Sequence, residues 1–300
     1  MLSFRQIPVL GTAILVLVFF GTQACKSLNT ASKTADSPTP CASYSLPPQN
    51  LLVWLKADSI GSVSDGDLIG QWNDSSTNGL HFSQTDSAKR PVYKTNVING
   101  QPALHFDGID DILEGVSTGQ ISLSASNAWE IQVQIIYANY TQSGSGTNDN
   151  AILNFVIGGA TSGLRMSIEG STNKGVVTAR SVSTDSANRI VGSIATPSTN
   201  PKLFNTMVTF LDRGNAFLFL STSGIPGDPN EAVAGLTPTF LSGHWTQSTA
   251  TLKDSIGGDL SSATASFSGD IAEIIVYRNP TPYTNNCEDA AKYLSEKYGL

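Results

Sequence analysis

Three aspartates fall within five positions at the end of an alternating apolar run: Asp107, Asp110 and Asp111 in INGQPALHFDGIDDIL, residues 98–113. Carboxylates at this density have two ordinary uses. Calcium takes about six to eight hard oxygens from carboxylates, carbonyls and water, and this stretch offers several. Asp and Gly also close tight turns, because Asp bonds the nearby backbone and Gly accepts left-handed dihedrals. The spacing is not that of an EF-hand loop, which alternates its oxygens and closes on Glu. Both uses, and direct contact with a ligand, stay open for these residues.

A second candidate is LSGHWTQS, residues 241–248, where His244 and Trp245 stand among small polar residues. An exposed indole offers a flat apolar face with a polar edge, suited to packing against a sugar ring. His244 and Trp245 are therefore candidate ligand contacts, the alternative being that Trp245 caps the core. Trp54 and Trp129 lie instead in alternating strand-like runs, and His105 alternates with Leu104 and Phe106 as a strand-face residue does. None of the three histidines, His81, His105 and His244, sits in a nucleophile elbow. HExxH, CxxC and Gly-rich phosphate loops are absent from the sequence.

The elements that must position these residues read as strands. Short β-type runs recur from Leu51: LLVWLKAD, LIGQWND, PALHFDG, WEIQVQIIYA, AILNFVIG, LRMSIEG, GVVTARSV, LFNTMVTFLD, NAFLFLST and DIAEIIVY. Clusters of Gly, Asn, Asp, Ser and Pro separate them, as in a sandwich or barrel. The stretches 141–150 and 221–239 read as rim loops, because β-type runs resume on both sides. One helix is expected, from Asn285 to Tyr298, with Cys287, Ala290 or Ala291, Leu294 and Tyr298 on one face. Asn285 and Glu288 resemble a capping box, and Gly299 ends the helix. No repeat or second shift of composition interrupts residues 50–300, which read as one domain.

The net charge of −7 and the scattered Lys and Arg give a nucleic-acid partner no electrostatic footing. Arg5, the apolar run 7–20 and the small residues Thr22 and Ala24 before Cys25 mark residues 1–24 as a secretory signal peptide. The run TQAC is also similar to a bacterial lipoprotein signal, which implies acylation of Cys25 and attachment to a membrane through that lipid alone. Lys26 in place of Asp points to the outer membrane or cell surface. Residues 25–49, rich in Ser, Thr, Ala and Pro, read as a flexible tether. With Cys25 acylated, Cys41 and Cys287 remain, one before the domain and one near its end. Domain termini often lie close together and exported compartments oxidise thiols, so a disulfide is expected, the alternative being two free thiols.

Several separated blocks carry a resemblance: VWLKAD (53–58), DGDLIGQWNDSSTNG (65–79), RPVY (90–93), NGQPALHFDGIDDIL (99–113), FSGDIAEIIVYRN (267–279) and YLSEKYGL (293–300). In this order they resemble the bacterial laminin-G-like domains of the concanavalin A-like lectin/glucanase superfamily. The resemblance implies an all-β jelly-roll sandwich of two antiparallel sheets, here with one short C-terminal helix. It leaves function open, since folds of this kind host many activities.

The laminarinase-like enzymes of that superfamily carry Glu, Asp and Glu at alternate positions of one strand. The matching stretch here is EIQVQ, Glu130 to Gln134. Retaining hydrolysis needs two carboxyl groups about 5–5.5 Å apart, and Gln132 and Gln134 cannot ionise. The expectation is therefore an exported, lipid-anchored, non-catalytic module that binds a glycan or an extracellular or envelope protein, with calcium as the one candidate cofactor. The rivals are a secreted carbohydrate-active enzyme and a structural envelope lipoprotein. If Cys25 is acylated, the intact mass of the exported chain carries an acyl increment that Cys25→Ala removes. An equal mass for the two, apart from the substitution, removes the anchor.

Overall fold

The computed structural model describes residues 46, 48–118, 129–141, 149–156, 163–169, 174–180, 202–211, 215–221, 253–260, 265–278 and 290–300. Residues 40–300 form one compact unit, and a second unit, 1–39, lies outside the described residues. In chain order the strands are β1 (Leu51–Lys56), β2 (Gln71–Trp72), β3 (Phe82–Ser83), β4 (Val92–Ile98), β5 (Gln101–Asp107), β6 (Leu113–Thr118) and β7 (Trp129–Ala138). They continue as β8 (Asp149–Val156), β9 (Gly163–Glu169), β10 (Lys174–Arg180), β11 (Lys202–Leu211), β12 (Asn215–Ser221), β13 (Lys253–Ile256) and β14 (Ser268–Arg278). Helix α1 (Ala290–Tyr298) follows.

The strands form two seven-stranded sheets. The first runs β12-β11-β7-β14-β5-β4, with β1 also on β14; the second runs β10-β9-β8-β13-β6-β3-β2. Every strand pairing is antiparallel. This is an all-β jelly-roll sandwich of two antiparallel sheets. Alternation decides the layers: Val53, Leu104, Phe106, Ile131, Val133 and Ile135 of the first sheet meet Trp72, Phe82, Phe155, Met166 and Ile256 of the second in one buried cluster. The ten-residue run WEIQVQIIYA is one strand, as its alternation predicts. Strands β3, β4, β6 and β13 are additions to the runs legible in the sequence, because each is short or mixed in polarity and is defined by its neighbours.

Strand β14 is the spine of the first sheet. One edge pairs with β7; the other takes β5 at Ser268–Ile271 and then β1 at Glu273–Tyr277. Between Ile271 and Glu273 the register with β7 shifts by one residue, a bulge. Ile271 and Ile274 both stay in the central core, so Ala272 and Glu273 are turned to the outer face together. There a second apolar layer forms from Ile136, Ala272, Ile275 and Tyr277 beneath Ala290, Leu294 and Tyr298 of α1. The helical face read from the sequence is the buried face, and Gly299 sits at φ +69 just past its end. Cys287 and the expected first turn lie outside the described residues. Leu46, within the stretch read as a tether, is buried in this same layer, so the packed structure starts ahead of β1.

Glu273 is 0% exposed. Its carboxylate accepts hydrogen bonds from the Trp54 indole at 2.5 Å, Lys297 Nζ at 2.8 Å and the Tyr298 hydroxyl at 2.8 Å. Lys297 also reaches Asp58 at 2.9 Å. Burial, then the Glu273 charge, holds the Tyr293 and Tyr298 phenols well above their ordinary range, so both stay neutral donors. Removing one partner of a buried ion pair typically costs about 3–5 kcal/mol. Glu273→Ala is expected to lose stability on that order in urea unfolding and to expose α1 to amide exchange before the sheets. An unchanged midpoint removes this anchor from the account.

Candidate functional site

The WNDSSTNG loop proves structural. Asp74 Oδ1 accepts from the Trp54 and Ser76 amides, each at 2.9 Å, and Oδ2 from Ser76 Oγ at 2.6 Å and the Leu80 amide at 2.9 Å. Trp72 is fully buried in the core. A group of chemistry-bearing residues converges on one rim of the first sheet, where β5, β14 and β7 end side by side.

Strand β5 delivers His105 and Asp107 to that rim, with the alternate residues Leu104 and Phe106 anchored in the core. Gly108, at φ +78, lets the chain turn directly after Asp107. Asp107 Oδ1 then gathers the Ile109, Asp110 and Asp111 amides at 2.8, 3.3 and 3.4 Å, while Asp111 Oδ2 accepts the Asp107 amide at 2.9 Å. Gly257 backs the turn at φ +86, and a side chain there would collide with the Phe106 ring.

The three aspartates stand together: their candidate donor oxygens all lie within 4.8 Å of one another, with Asp107 and Asp110 exposed and Asp111 buried. Each of Asp107 and Asp111 spends one oxygen on the turn. The other oxygens are the hard donors calcium takes, the remaining ligands being left to carbonyls and water. Burial, then the Asp107 and Asp110 charges, pushes Asp111 from 3.8 up to about 6, against the pull of its amide hydrogen bond and of His105.

Beside the turn, His105 Nδ1 meets Asp270 Oδ1 at 2.8 Å, and Asp270 Oδ2 accepts from Asn139 Nδ2 at 2.6 Å. Asp270 is 5% exposed, whereas the His105 side chain is 39% exposed. The Asp270 hydrogen bond raises the His105 pKa, and burial opposes it. Two strand positions along, Ser268 pairs with Asp107 and its hydroxyl meets that of Thr141 at 2.6 Å. A row of mutually opposite residues, Leu68, Val92, His105 and Asp270, crosses the rim, with Leu68 51% exposed. The site thus offers carboxylate acceptors, a half-exposed imidazole, a carboxamide and hydroxyls beside an aliphatic shelf.

Of the sequence candidates, the rim gathers Asp107, Asp110 and Asp111. His244, Trp245, Cys25, Cys41 and Cys287 lie outside the described residues. Asp270 and Asn139 escaped sequence reasoning, because their 165- and 131-residue separations from His105 and from one another carry no local pattern. On β7, Ile131, Val133 and Ile135 face the core as expected, and Gln134 opposite Ile275 is 1% exposed.

No protein-family model and no curated protein matches the sequence. Among solved structures, the chain is similar to a botulinum neurotoxin type C structure titled for cell entry through two ganglioside molecules. That match has 13% identity and a TM-score of 0.47, over 83% of this chain and 51% of that one. It is also similar to the Trypanosoma rangeli sialidase in complex with sialic acid, with 14% identity and a TM-score of 0.40, over 92% and 37%. A third is the endo-1,3-beta-glucanase of Streptomyces sioyaensis, with 12% identity and a TM-score of 0.42, over 82% and 100%. The chain spans about half the length of the neurotoxin chain. The fold assignment rests on the two sheets themselves.

Asp111 makes stability depend on pH with a definite sign. Its folded pKa lies above 3.8, so the folded state favours the protonated form. That contribution is complete below about 4 and is lost as pH rises to about 6. Asp111→Asn is expected to gain stability over wild type across that window and to hold the gain above it. The upper bound is about 3 kcal/mol, the free energy that corresponds to a pKa moved from 3.8 to about 6. Denaturant unfolding of both proteins at pH 4 and pH 7 checks this; equal pH dependence refutes it.

Proposed function

We propose that the chain is an exported module, anchored through a lipid on Cys25, that binds a glycan or an extracellular or envelope protein without transforming it. The observation that carries this reading is the convergence of His105, Asp107, Asp110, Asp111 and Asn139 on one open rim. Most of these groups are pinned by hydrogen bonds from strand ends or the turn backbone. Pre-positioned polar groups beside an aliphatic shelf suit a hydroxyl-bearing ligand, because little side-chain freedom is lost on binding. Of the two partner classes the glycan fits these groups better. Calcium at the aspartate turn belongs to the same reading: it would offset three mutually repelling carboxylates and present a charge to ligand hydroxyls. Gln132 and Gln134, where a strand-borne hydrolase needs acids, support a binding role over a catalytic one.

Binding to an immobilised glycan array, with calcium or EDTA, tests the reading. Wild type is expected to bind saturably. His105→Ala and Asp107→Asn are expected to weaken binding roughly tenfold, the value of about 1.4 kcal/mol in lost contacts. EDTA is expected to weaken wild type and not Asp107→Asn. No saturable binding to any glycan or matrix protein overturns the proposal, and release of new reducing ends from a bound polysaccharide reassigns the chain to the hydrolases.

A further inference from the structure

We propose that Arg165 and Asp259, an ion pair on the second sheet, are positioning residues for the aspartate turn: they fasten the chain that follows β13, and that chain is the surface on which Asp107–Asp111 is shaped. Strand β13 ends at Ile256, which stands opposite Leu113 of β6 on one side and Leu153 of β8 on the other. Antiparallel pairing therefore carries Gly257 and Gly258 past Ile112 and Asp111, the residues just before β6. Only glycines permit so close an approach. A Cβ at Gly257 would lie 2.9 Å from the Asp111 carbonyl oxygen, and one at Gly258 would lie 3.2 Å from Ile112 Cδ1.

Two sets of bonds hold this chain. The backbone fixes Gly257, whose amide donates to the Ile152 carbonyl at 2.9 Å and whose carbonyl accepts from the Phe267 amide at 2.8 Å. Side chains fix the next two residues. Ser255, Asn154 and Arg165 stand opposite one another across β13, β8 and β9, on the outer face, because Ile256, Leu153 and Met166 beside them are in the core. The Ser255 hydroxyl donates to the Gly258 carbonyl at 2.7 Å. Asp259 accepts from Arg165 Nη1 at 3.1 Å and from Asn154 Nδ2 at 3.4 Å, so one carboxylate spans two strands. The Arg165 and Asp259 side chains are 12% and 8% exposed. Toward β14 the Ser266 hydroxyl donates to the Ile109 carbonyl at 3.0 Å, so both ends of the β13–β14 connection bear on the aspartate turn.

A buried ion pair adds little net stability, because desolvation offsets the attraction. What this pair supplies is one placement for Gly258 and Asp259, and through them for Ile112 and Asp111. Arg165 and Asp259 act through the turn rather than on a ligand. Their bearing on affinity rests on the rim reading above; the contacts do not.

Amide exchange in the full chain tests the positioning role without a ligand. Asp259→Asn and Arg165→Met are expected to speed exchange at the Asp107 and Ile112 amides roughly tenfold and to leave β1 and α1 at wild-type rates. Arg165→Lys, which keeps a charged donor for Asp259, is expected to retain the protection. Unchanged exchange at the two amides, or an equal rise there and in β1 and α1, overturns the proposal. Calcium titration adds a readout with a distinguishing sign. Arg165→Met removes a positive charge, which through the field alone would tighten a cation. Lost positioning is expected to weaken calcium roughly tenfold instead. Tighter or equal calcium binding by folded Arg165→Met overturns the proposal. If wild type binds no calcium, the rim reading loses its cofactor, and the exchange rates still decide the positioning role.

Discussion

The carboxylate of Glu273, sealed on the outer face of the first sheet, is the point on which the rest of the molecule turns. It sits at a bulge in β14, the strand that joins β7 to both β5 and β1. Without the bulge, Glu273 would point into the central core, where a carboxylate has no partner and a large desolvation penalty. With it, the charge is turned outward and then covered by α1, whose Tyr298 and Lys297 complete its hydrogen bonding together with Trp54. Its partners come from β1 and α1, so this one charge ties both elements to β14.

The same spine positions the rim. Asp270 lies on β14 just before the bulge and faces His105 across the ladder to β5. The aspartate turn follows β5 without a break, so its geometry derives from Phe106 in the core and from Gly257 pressed against that ring. Rim chemistry and core packing are thus coupled through adjacent residues. Burial first, and then the charges of Asp107 and Asp110, push the Asp111 pKa up.

Much of the fold was legible. WEIQVQIIYA alternates so cleanly that its length and its buried face could be read directly. The terminal helix was legible from Ala290, Leu294 and Tyr298, because a period of 3.6 places them on one face. The site was legible by halves. Asp107, Asp110 and Asp111 announce themselves by proximity in sequence, but Asp270 is 165 residues from His105, and its run DIAEIIVY reads as ordinary strand. Glu273 was equally hidden, since alternation alone assigns it to the face of Ile271 and only a bulge changes that.

By itself, then, the sequence determined the periodicities: which runs become strands, which residues face the core, and where an acid-rich turn interrupts them. Those outcomes follow from local sterics and from the free energy of burying alternate side chains. The tertiary structure decided register and adjacency. It chose which strand lies beside which, set the bulge that turns Glu273 outward, and brought His105, Asp270 and Asn139 into one chain of hydrogen bonds. Register depends on the simultaneous fit of two sheets and a helix, a condition that no single stretch of the chain contains.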